Sequence, residues 1–258
     1  MTYPNFPEKH RYTALINPEH LFEVFRRRPN FNDGPPPQAA ILCYQNSFWQ
    51  KICADEHEAQ PGLAGMRTLA STDHQIGVVG GFGIGAPAAC AVLEALIIFG
   101  VKRFVSMGTA GSLQLDLAAG QFVVCDRAIR DEGTSHHYLP PEKYSTASPA
   151  LTKRLFELAQ AKDLPCRLGT SWTIDAPYRE TIEEIRHYQQ EGVATVEMEA
   201  SALFAVAAHR GVELGSILTI SDLLASEEWE QHIDSELVSD GLQTIYQIAI
   251  ECLMGVED

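Results

Sequence analysis

The 258-residue chain has no long apolar run, no CxxC pair and few basic residues for its length. Its apolar stretches are far too short to span a bilayer, so the sequence predicts no membrane segment. Only 19 Lys and Arg residues stand against 34 Asp and Glu, and the formal net charge of −15 argues against affinity for nucleic acid or anionic membranes. Any site for an anion must therefore be built locally, against the field of the whole molecule.

The six cysteines lie scattered, without the spacing of a disulfide framework or a zinc site. They predict buried, reduced thiols and a cytoplasmic location. The first ten residues are polar and contain proline, which is not the pattern of a signal peptide. Hydrophobic residues make up 45% of the chain and charged residues 21%, as in ordinary globular proteins.

Strand-like and helix-like segments alternate from residue 39 onward, which predicts an α/β fold around one central sheet. We expect residues 1–38 to form an N-terminal appendage, with a helix over 18–28 and a proline-rich linker, and residues 39–258 to form a single domain. The predicted strands cover 39–44, 76–80, 103–107, 122–128, 167–173, 193–198 and 216–221, and the predicted helices cover 86–99, 149–162, 200–210 and 239–254.

Two glutamates, Glu197 and Glu199, stand one residue apart where an apolar run meets an alanine-rich helix. In an extended chain, residues i and i+2 point to the same face, so both carboxylates would converge on a small polar group such as the 2′- and 3′-hydroxyls of a ribose. In a helix the same spacing would separate them. The alternative is a solvated helix N-terminus, where acidic residues are favoured by the macrodipole.

Three further segments follow predicted strands, at the edge of the sheet where open α/β folds bind ligands. The turn that contains Gly83 and Gly85 leads into a helix and offers backbone N–H groups to an anion, although it does not have the dinucleotide-binding spacing. A predicted loop, residues 108–111, sets Thr109 among small residues and is suited to wrapping an oxyanion. Asp222 is a candidate general acid, and the cap of the following segment is its alternative role.

Two polar loops remain. Residues 131–138 contain adjacent histidines, which lack the spacing that aims two rings at one metal ion, so we predict a hydrogen-bonded loop and no metal site. Residues 175–179 include Tyr178 and Arg179, which are suited to stacking on a planar base or to hydrogen bonding with it, and a surface turn is the rival interpretation.

The glycine-rich turn, Gly108-Thr109-Ala110-Gly111, Val196-Glu197-Met198-Glu199 and Ser221-Asp222 occur in an order and spacing that resemble the nucleoside phosphorylase superfamily. This superfamily includes uridine phosphorylase, hexameric purine nucleoside phosphorylase and the methylthioadenosine nucleosidases. The resemblance covers residues 39–254. It implies a three-layer αβα sandwich with a central twisted mixed sheet, phosphorylase/hydrolase-like, which assembles as a dimer or a trimer of dimers.

The resemblance also implies roles for individual residues. Gly83, Gly85 and Thr109 would bind phosphate, with Arg67 as a possible replacement cation. Glu199 would bind the ribose diol and Asp222 would protonate the base. The remaining substrate contacts implied are Gly108, Ala110, Glu197, Met198, Tyr178, Arg179 and His10, of which Arg179 would stabilise the departing base and His10 would reach a neighbouring subunit's 5′-hydroxyl.

The implied activity is cleavage of a (deoxy)ribonucleoside by phosphate to free base and ribose 1-phosphate, without an organic cofactor or a metal. Residues 131–137 resemble the pyrimidine branch and make a uridine phosphorylase-like enzyme the leading prediction, whereas Asp222 favours a purine. Two departures from the family pattern oppose phosphate binding. Residues 43–49 lack the family's glycine and arginine turn, and Ser106 stands where a second arginine is expected. A phosphate-independent nucleoside hydrolase and a non-catalytic nucleoside-binding relative are the rival hypotheses. Arg103 and Lys51, like Arg67, are candidates to replace the missing arginines at the phosphate.

Overall fold

The computed structural model describes residues 4–27, 34–55, 60–61, 63–226 and 228–255. The strands are β1 Ala39–Cys43, β2 Gln60–Pro61, β3 Arg67–Thr68, β4 Ile76–Val79, β5 Arg103–Ser112, β6 Phe122–Asp131, β7 Tyr144–Thr146, β8 Cys166–Ile174, β9 Thr195–Glu197, β10 Glu213–Leu223 and β11 Glu230–Gln231. The α-helices are α1 Pro18–Arg26, α2 Asn46–Asp55, α3 Ala86–Phe99, α4 Pro149–Ala161, α5 Ile182–Gln190, α6 Ala200–Arg210 and α7 Glu236–Met254.

The strands form one mixed sheet in the order β11-β10-β6-β8-β9-β5-β1-β4-β3-β2, with β7 attached to β6 and a further pairing of β10 with β5. Strand β5 runs parallel to β1 and β10, and antiparallel to β9. The direct β10–β5 pairing, together with the path through β6, β8 and β9, closes part of the sheet into a ring. The polar segments that follow β1, β4 and β9 therefore come to one region beside β5.

Helices cover both faces of this sheet, as predicted for a layered α/β fold. On one face, residues of α2, α4 and α7 such as Phe48, Leu155 and Ile248 pack on the sheet. On the other face, α3 and α6 pack together through residues such as Leu93 and Phe204. Each face of the central strands is thus buried, which explains why β1 reads as a continuous apolar run without alternation.

Strands β5, β6, β8 and β10 are longer than predicted, and the extensions of β5 and β10 change the setting of predicted site residues. Strand β5 continues through residues 108–111, which were expected to form a loop, because backbone hydrogen bonds to β10 and β9 override the turn-like composition. Strand β10 likewise extends past Ser221, so that Asp222 lies inside the strand and does not follow it. The prediction missed α2 and α5 altogether.

The N-terminal helix begins at Pro18 as expected and ends at Arg26, and residue 28 lies outside the described residues. It packs on α3, where the rings of Phe22 and Phe99 stand 6.1 Å apart. Among the described residues, no helix is both long enough and apolar enough to cross a bilayer.

Candidate active site

A gap in the pairing of β5 defines the candidate site. Strand β1 pairs with β5 as far as Cys43 and Met107, and β9 begins its pairing on the same side at Gly111. Residues 108–110 have no strand partner on that side in the described part of the chain. Such a divergence of neighbouring strands is where open α/β sheets bind their ligands.

Glu199 lies beside this gap, at the N-terminus of α6, and its carboxylate is 7% exposed. Its Oε1 accepts a hydrogen bond of 2.5 Å from the backbone N–H of Gly85. Burial, and then the charge of Glu197, raise the pKa of Glu199 to about 8. The backbone N–H groups of Gly85 and Met198 act in the opposite direction, because they stabilise the ionised carboxylate. The carboxyl is thus kept dry beside the sheet edge, as the sugar-binding prediction requires.

Glu197 does not converge with Glu199 on an open space, contrary to the prediction. Its Oε1 accepts from the hydroxyls of Thr173 and Ser171, and its Oε2 accepts from the backbone N–H groups of Glu199 and Ala200. A carboxylate offers about four lone-pair sites, and all are engaged within the protein. Glu197 therefore ties β8 to the start of α6 and positions Glu199.

The glycine-rich turn after β4 adopts backbone conformations that favour glycine. Gly83 and Gly85 have φ values of +92° and +97°, and a Cβ built on either would meet no atom within 4 Å. The conformation, not crowding, therefore requires glycine at these two positions. The open space around them leaves room for a ligand at the N-terminus of α3.

Neutral side chains occupy the side of the site where the family resemblance places phosphate arginines. The Tyr44 hydroxyl and Ser106 Oγ are hydrogen bonded at 2.9 Å, and Gln45 Nε2 donates to Thr109 Oγ1 at 2.9 Å. Tyr44 is 9% exposed, and a Cβ on Gly108 would stand 3.0 Å from its ring. The residues that replace the arginines thus contact the predicted phosphate-binding threonine and its neighbour directly.

The three cations considered as replacements lie elsewhere in the chain. Arg67 is on β3, three strands from β5, which corresponds to about 14 Å at the usual strand spacing. Arg103 begins β5 at the end remote from Thr109 and donates to Gln38, while Lys51 donates to Gln243. A role for Arg67 at phosphate stays a prediction.

A β-bulge in β10 brings Asp222 to Gly111, the residue that follows the unpaired segment of β5. Ile220 pairs with Ala110 and Asp222 pairs with Gly111, so Ser221 is the extra residue. A Cβ on Gly111 would stand 3.1 Å from Asp222 Oδ2, so the glycine makes room for the carboxylate. Asp222 accepts hydrogen bonds from Ser221 Oγ at 2.7 Å and from Trp229 Nε1 at 3.0 Å.

The remaining predicted site residues differ in their exposure and surroundings. Tyr178 is 99% exposed and Arg179 is also exposed, in the turn between β8 and α5. His10 lines a groove of about 890 Å³ between the N-terminal segment and helices α3 and α6. Met198 is half-buried next to Glu199, and Ala110 is buried within β5.

The polar loop after β6 is a hydrogen-bonded network, as predicted. Glu132 accepts from the backbone N–H of Ser135 and from Ser201 Oγ, while Arg130 donates to Ser135 Oγ and to the Pro140 carbonyl. No cluster of three or more His, Cys, Asp or Glu side chains in the described part of the chain is arranged to hold a metal ion.

Sequence reasoning overlooked Gln45, Glu180 and Trp229. Gln45 was considered only as part of a segment that departs from the family pattern. It directly follows a predicted strand, which is the position where a site residue is expected. Glu180 follows the Pro-Tyr-Arg turn, and burial, together with the charges of Asp222 and Glu184, raises its pKa to about 7. Nothing local in the sequence marks Trp229, because its contact with Asp222 depends on the return of the chain through β11.

Two phosphorylases are similar to this chain in sequence. Over 178 residues the chain is 33% identical to guanosine phosphorylase of Halorubrum lacusprofundi, an alignment that covers 67% of this chain and 74% of that protein. It is 31% identical over 175 residues to the DeoD-type purine nucleoside phosphorylase of Bacillus cereus, covering 67% of this chain and 72% of that protein.

Solved structures share the fold. Uridine phosphorylase from Vibrio fischeri superposes with a TM-score of 0.74 at 24% identity, covering 86% of this chain and 94% of that one. Purine nucleoside phosphorylase from Toxoplasma gondii, in complex with immucillin-H, superposes with a TM-score of 0.73 at 20% identity, covering 85% and 91%. A sequence model of the phosphorylase superfamily matches residues 50–253. The chain therefore belongs to the phosphorylase superfamily, a family of enzymes.

Proposed function

We propose that this protein is a nucleoside phosphorylase that cleaves the N-glycosidic bond of a purine ribonucleoside with phosphate, giving free base and ribose 1-phosphate. The observation that carries the proposal is the buried Glu199 carboxylate, hydrogen bonded to Gly85 beside the unpaired edge of β5. This arrangement offers a sugar acceptor next to backbone donors and the Thr109 hydroxyl.

The residues divide the reaction between two ends of the site. Glu199 accepts hydrogen bonds from the ribose hydroxyls while it keeps the Gly85 N–H as its own donor. Gly83 and Thr109 hold the attacking anion below C1′. Positive charge develops on the sugar as the bond to the base breaks, and the nearby carboxylate stabilises it electrostatically. Asp222 stands at the other end, where the base departs.

A purine suits the leaving-group end better than a pyrimidine. Tyr178 and Arg179, the residues predicted to contact the base, are exposed, whereas the carboxylate of Asp222 packs against Gly111 of β5. Uracil presents two carbonyl oxygens beside its N–H, and a carboxylate repels them, while a purine offers ring nitrogens that take a proton as it leaves. The sequence relatives at 31–33% identity are named as purine or guanosine phosphorylases. Uridine, the substrate first predicted, is the rival.

Base release from guanosine, inosine, uridine and methylthioadenosine, each with and without phosphate, tests the proposal. We expect phosphate-dependent release that is fastest with guanosine or inosine. Preference for uridine would overturn the purine assignment, and binding of all four nucleosides without turnover would indicate a non-catalytic relative. Glu199→Gln is the site variant, and Glu183→Gln, an exposed glutamate on α5, is its matched control.

A phosphate-independent nucleoside hydrolase is the second candidate, favoured by the neutral residues around Thr109. Each charge-assisted bond that a missing arginine would have made is worth about 1.5–3 kcal/mol. Gln45 Oε1 is buried and has no hydrogen-bond partner among the described residues, and such an acceptor suits a water molecule better than a phosphate oxygen. Release of free ribose without phosphate, with ¹⁸O from labelled water at C1, would establish hydrolysis in place of phosphorolysis.

We further propose that the chain assembles as a homodimer or a homohexamer. Within one chain, His10 lies in the groove over α3 and Arg67 lies on β3, three strands from β5, so neither approaches Thr109. A neighbouring copy is the simplest way for either residue to complete a site. Light scattering gives the oligomeric state, and a monomer with full activity would refute this proposal.

A further inference from the structure

Four neutral side chains form the anion side of the site, and they are hydrogen bonded in two pairs. The Tyr44 hydroxyl bonds to Ser106 Oγ, and Gln45 Nε2 donates to Thr109 Oγ1, both at 2.9 Å. A Cβ on Gly108 would stand 3.0 Å from the Tyr44 ring and 3.8 Å from Gln45 Nε2, so both side chains pack against this glycine. The anion side therefore offers hydrogen bonds without a positive charge.

The pair of Gln45 and Thr109 has one unused donor and one unused acceptor. Because Thr109 Oγ1 accepts from the Gln45 amide, its own hydrogen is free to donate, and no other side-chain hydrogen bond involves Thr109 among the described residues. Gln45 Oε1 is buried and has no partner in the same part of the chain. Turning the amide over exchanges the two roles and keeps the balance, since Thr109 would then have a free lone pair and Gln45 a free N–H.

The two unused groups lie close enough together to meet one ligand. Thr109 Oγ1 stands 2.9 Å from Gln45 Nε2, and the polar atoms of an amide share one carbon, which puts Gln45 Oε1 within about 5 Å of Thr109 Oγ1. A ligand that bridges them must present an acceptor to one group and an O–H to the other. An oxyanion without a proton has only acceptors, so it would leave a buried polar atom unpaired, which is costly.

Charge gives a bare anion little support at this place. The charge of Glu199 is the second cause, after burial, that raises the pKa of Tyr44 well above its usual range, so the field of this carboxylate extends to the anion side. The Gly85 N–H, the nearest backbone donor of the glycine-rich turn to Glu199, is already bonded to that carboxylate. Selection of the anion must therefore rest on hydrogen bonds.

We propose that Gln45 and Thr109 together select a nucleophile that carries its own O–H, so that the site uses phosphate in a protonated form and excludes sulfate. The P–OH group donates to the free acceptor of the pair, while an ionised oxygen accepts from the free donor. An arginine has only donors and would not distinguish the two ions in this way. The inference rests on the proposed phosphorolysis and names the residues that select its anion.

A water molecule also offers a donor and an acceptor, so the same pair could hold either nucleophile. Dependence of base release on phosphate distinguishes them, because hydrolysis does not require the anion. The test below is therefore run on phosphate-dependent release, with the nucleoside that the protein cleaves fastest.

Inhibition by sulfate and by monofluorophosphate tests the selection. At mildly alkaline pH both are dianions that resemble HPO₄²⁻ in charge and shape but lack its proton. We expect the inhibition constant of each to exceed KM for phosphate by at least about tenfold, the loss expected when a buried acceptor is left unpaired. Added NaCl keeps the ionic strength equal in all samples.

The Gln45→Met variant tests whether this residue is responsible. Methionine is similar in length and lacks the amide, so KM for phosphate should rise about tenfold while the two proton-free dianions lose no hydrogen bond. The ratio of their inhibition constants to KM for phosphate should then approach one. An unchanged KM for the nucleoside shows that the variant is folded. Gln50→Met, at an exposed glutamine of α2, is the matched control and should keep the wild-type ratio.

Two results would overturn the inference while leaving the proposed function intact. A sulfate inhibition constant close to KM for phosphate in the wild-type protein would show that the site does not recognise the proton. A wild-type ratio that persists in Gln45→Met would show that the selection lies in other residues. Base release that is independent of phosphate would instead refute the proposed phosphorolysis itself.

Discussion

At the scale of single residues, Glu199 combines a functional position with a cost to stability. Its carboxylate is buried beside a second buried carboxylate, and the two backbone N–H groups that it meets offset only part of the desolvation. Glu197, by contrast, is fully hydrogen bonded. Groups left partly uncompensated in this way cluster at functional sites, which supports the proposed role of Glu199 at the sugar.

The Glu199→Gln variant should show the cost of this carboxylate to folding stability and its contribution to activity as opposite effects. A carboxyl whose folded-state pKa is raised from 4.5 to about 8 binds more protons folded than unfolded, so wild-type stability falls as pH rises through that interval. We expect the variant to be more stable than wild type by about 2 kcal/mol or more at pH 8.5 and similar to it at low pH, since each pKa unit corresponds to about 1.4 kcal/mol. Its activity should fall at least about tenfold.

Urea unfolding at pH 5 and pH 8.5 measures this difference, with Glu183→Gln as the control for removal of an exposed charge. A variant that is less stable than wild type at both pH values would show that the ionised carboxylate supports the fold.

Thr109 provides the second prediction at this scale. Thr109→Ala removes the hydroxyl that accepts from Gln45 and faces the proposed anion, so KM for phosphate should rise about tenfold, as expected for the loss of a hydrogen bond to a charged group. Thr109→Ser retains the hydroxyl and should stay near wild type. Initial rates across a phosphate series give the comparison. An unchanged phosphate KM in the alanine variant would remove Thr109 from the anion site.

At the scale of elements, the glycine-rich turn links β4 to Glu199. Gly85→Ala adds a Cβ where φ is +97° but where space is open, so the cost is backbone strain of about 1–2 kcal/mol and not a clash. The strain should displace the N–H that Glu199 accepts from, and activity should fall. Gly192→Ala is matched to it, because Gly192 also has a positive φ and open surroundings but lies outside the site. Equal activity losses in the two variants would exclude a specific role for the turn.

Helices α3 and α6 are joined by an ion pair, which gives the second prediction for the elements. Arg210 binds Glu94 through two hydrogen bonds of 2.8 and 3.0 Å, and Glu94 is 7% exposed. Glu94→Ala leaves a partly buried guanidinium without its partner and should cost about 3 kcal/mol of unfolding free energy. Replacing both residues by methionine should cost less than the single change. A double-mutant cycle of the methionine variants, followed by urea unfolding, measures the coupling free energy between Glu94 and Arg210. If the costs of the two single changes add up to the cost of the double change, the ion pair does not stabilise the fold.

The elements also show where sequence reasoning succeeds. Helices α3 and α6 were predicted with their observed bounds, because each is a run of small and apolar residues that ends at a glycine, Gly100 or Gly211. Strand β5 was ended early because residues 108–111 resemble a turn, and only non-local pairing extends it. The bulge at Ser221, which aims Asp222 at the site, leaves no periodic signal. For α5 a signal was present and overlooked, since Thr181 and Glu184 form a capping box.

At the scale of the whole molecule, the site is assembled by chain segments far apart in sequence. Gly85 meets Glu199 across 114 positions, and Gln45 meets Thr109 across 64. No local pattern predicts such contacts. The types of residue in the site were therefore identifiable from the sequence, but two features were not: that every acceptor position of Glu197 is used within the protein, and that Tyr44 bonds to Ser106 where the family has an arginine. The family resemblance supplied the order of the segments, and the sheet brings them together.

The net charge of −15 gives the last prediction, because phosphate must approach against a repulsive field. Raising ionic strength from 10 to 100 mM shortens the screening length from about 30 Å to about 10 Å, so most of the molecular charge no longer acts at the site. We expect KM for phosphate to fall over this range, whereas KM for the uncharged nucleoside stays constant. Steady-state rates with NaCl as the added salt measure both quantities. A phosphate KM that rises with salt would mean that attraction by local cations outweighs the field, and would indicate a replacement cation such as Arg67 of a neighbouring subunit.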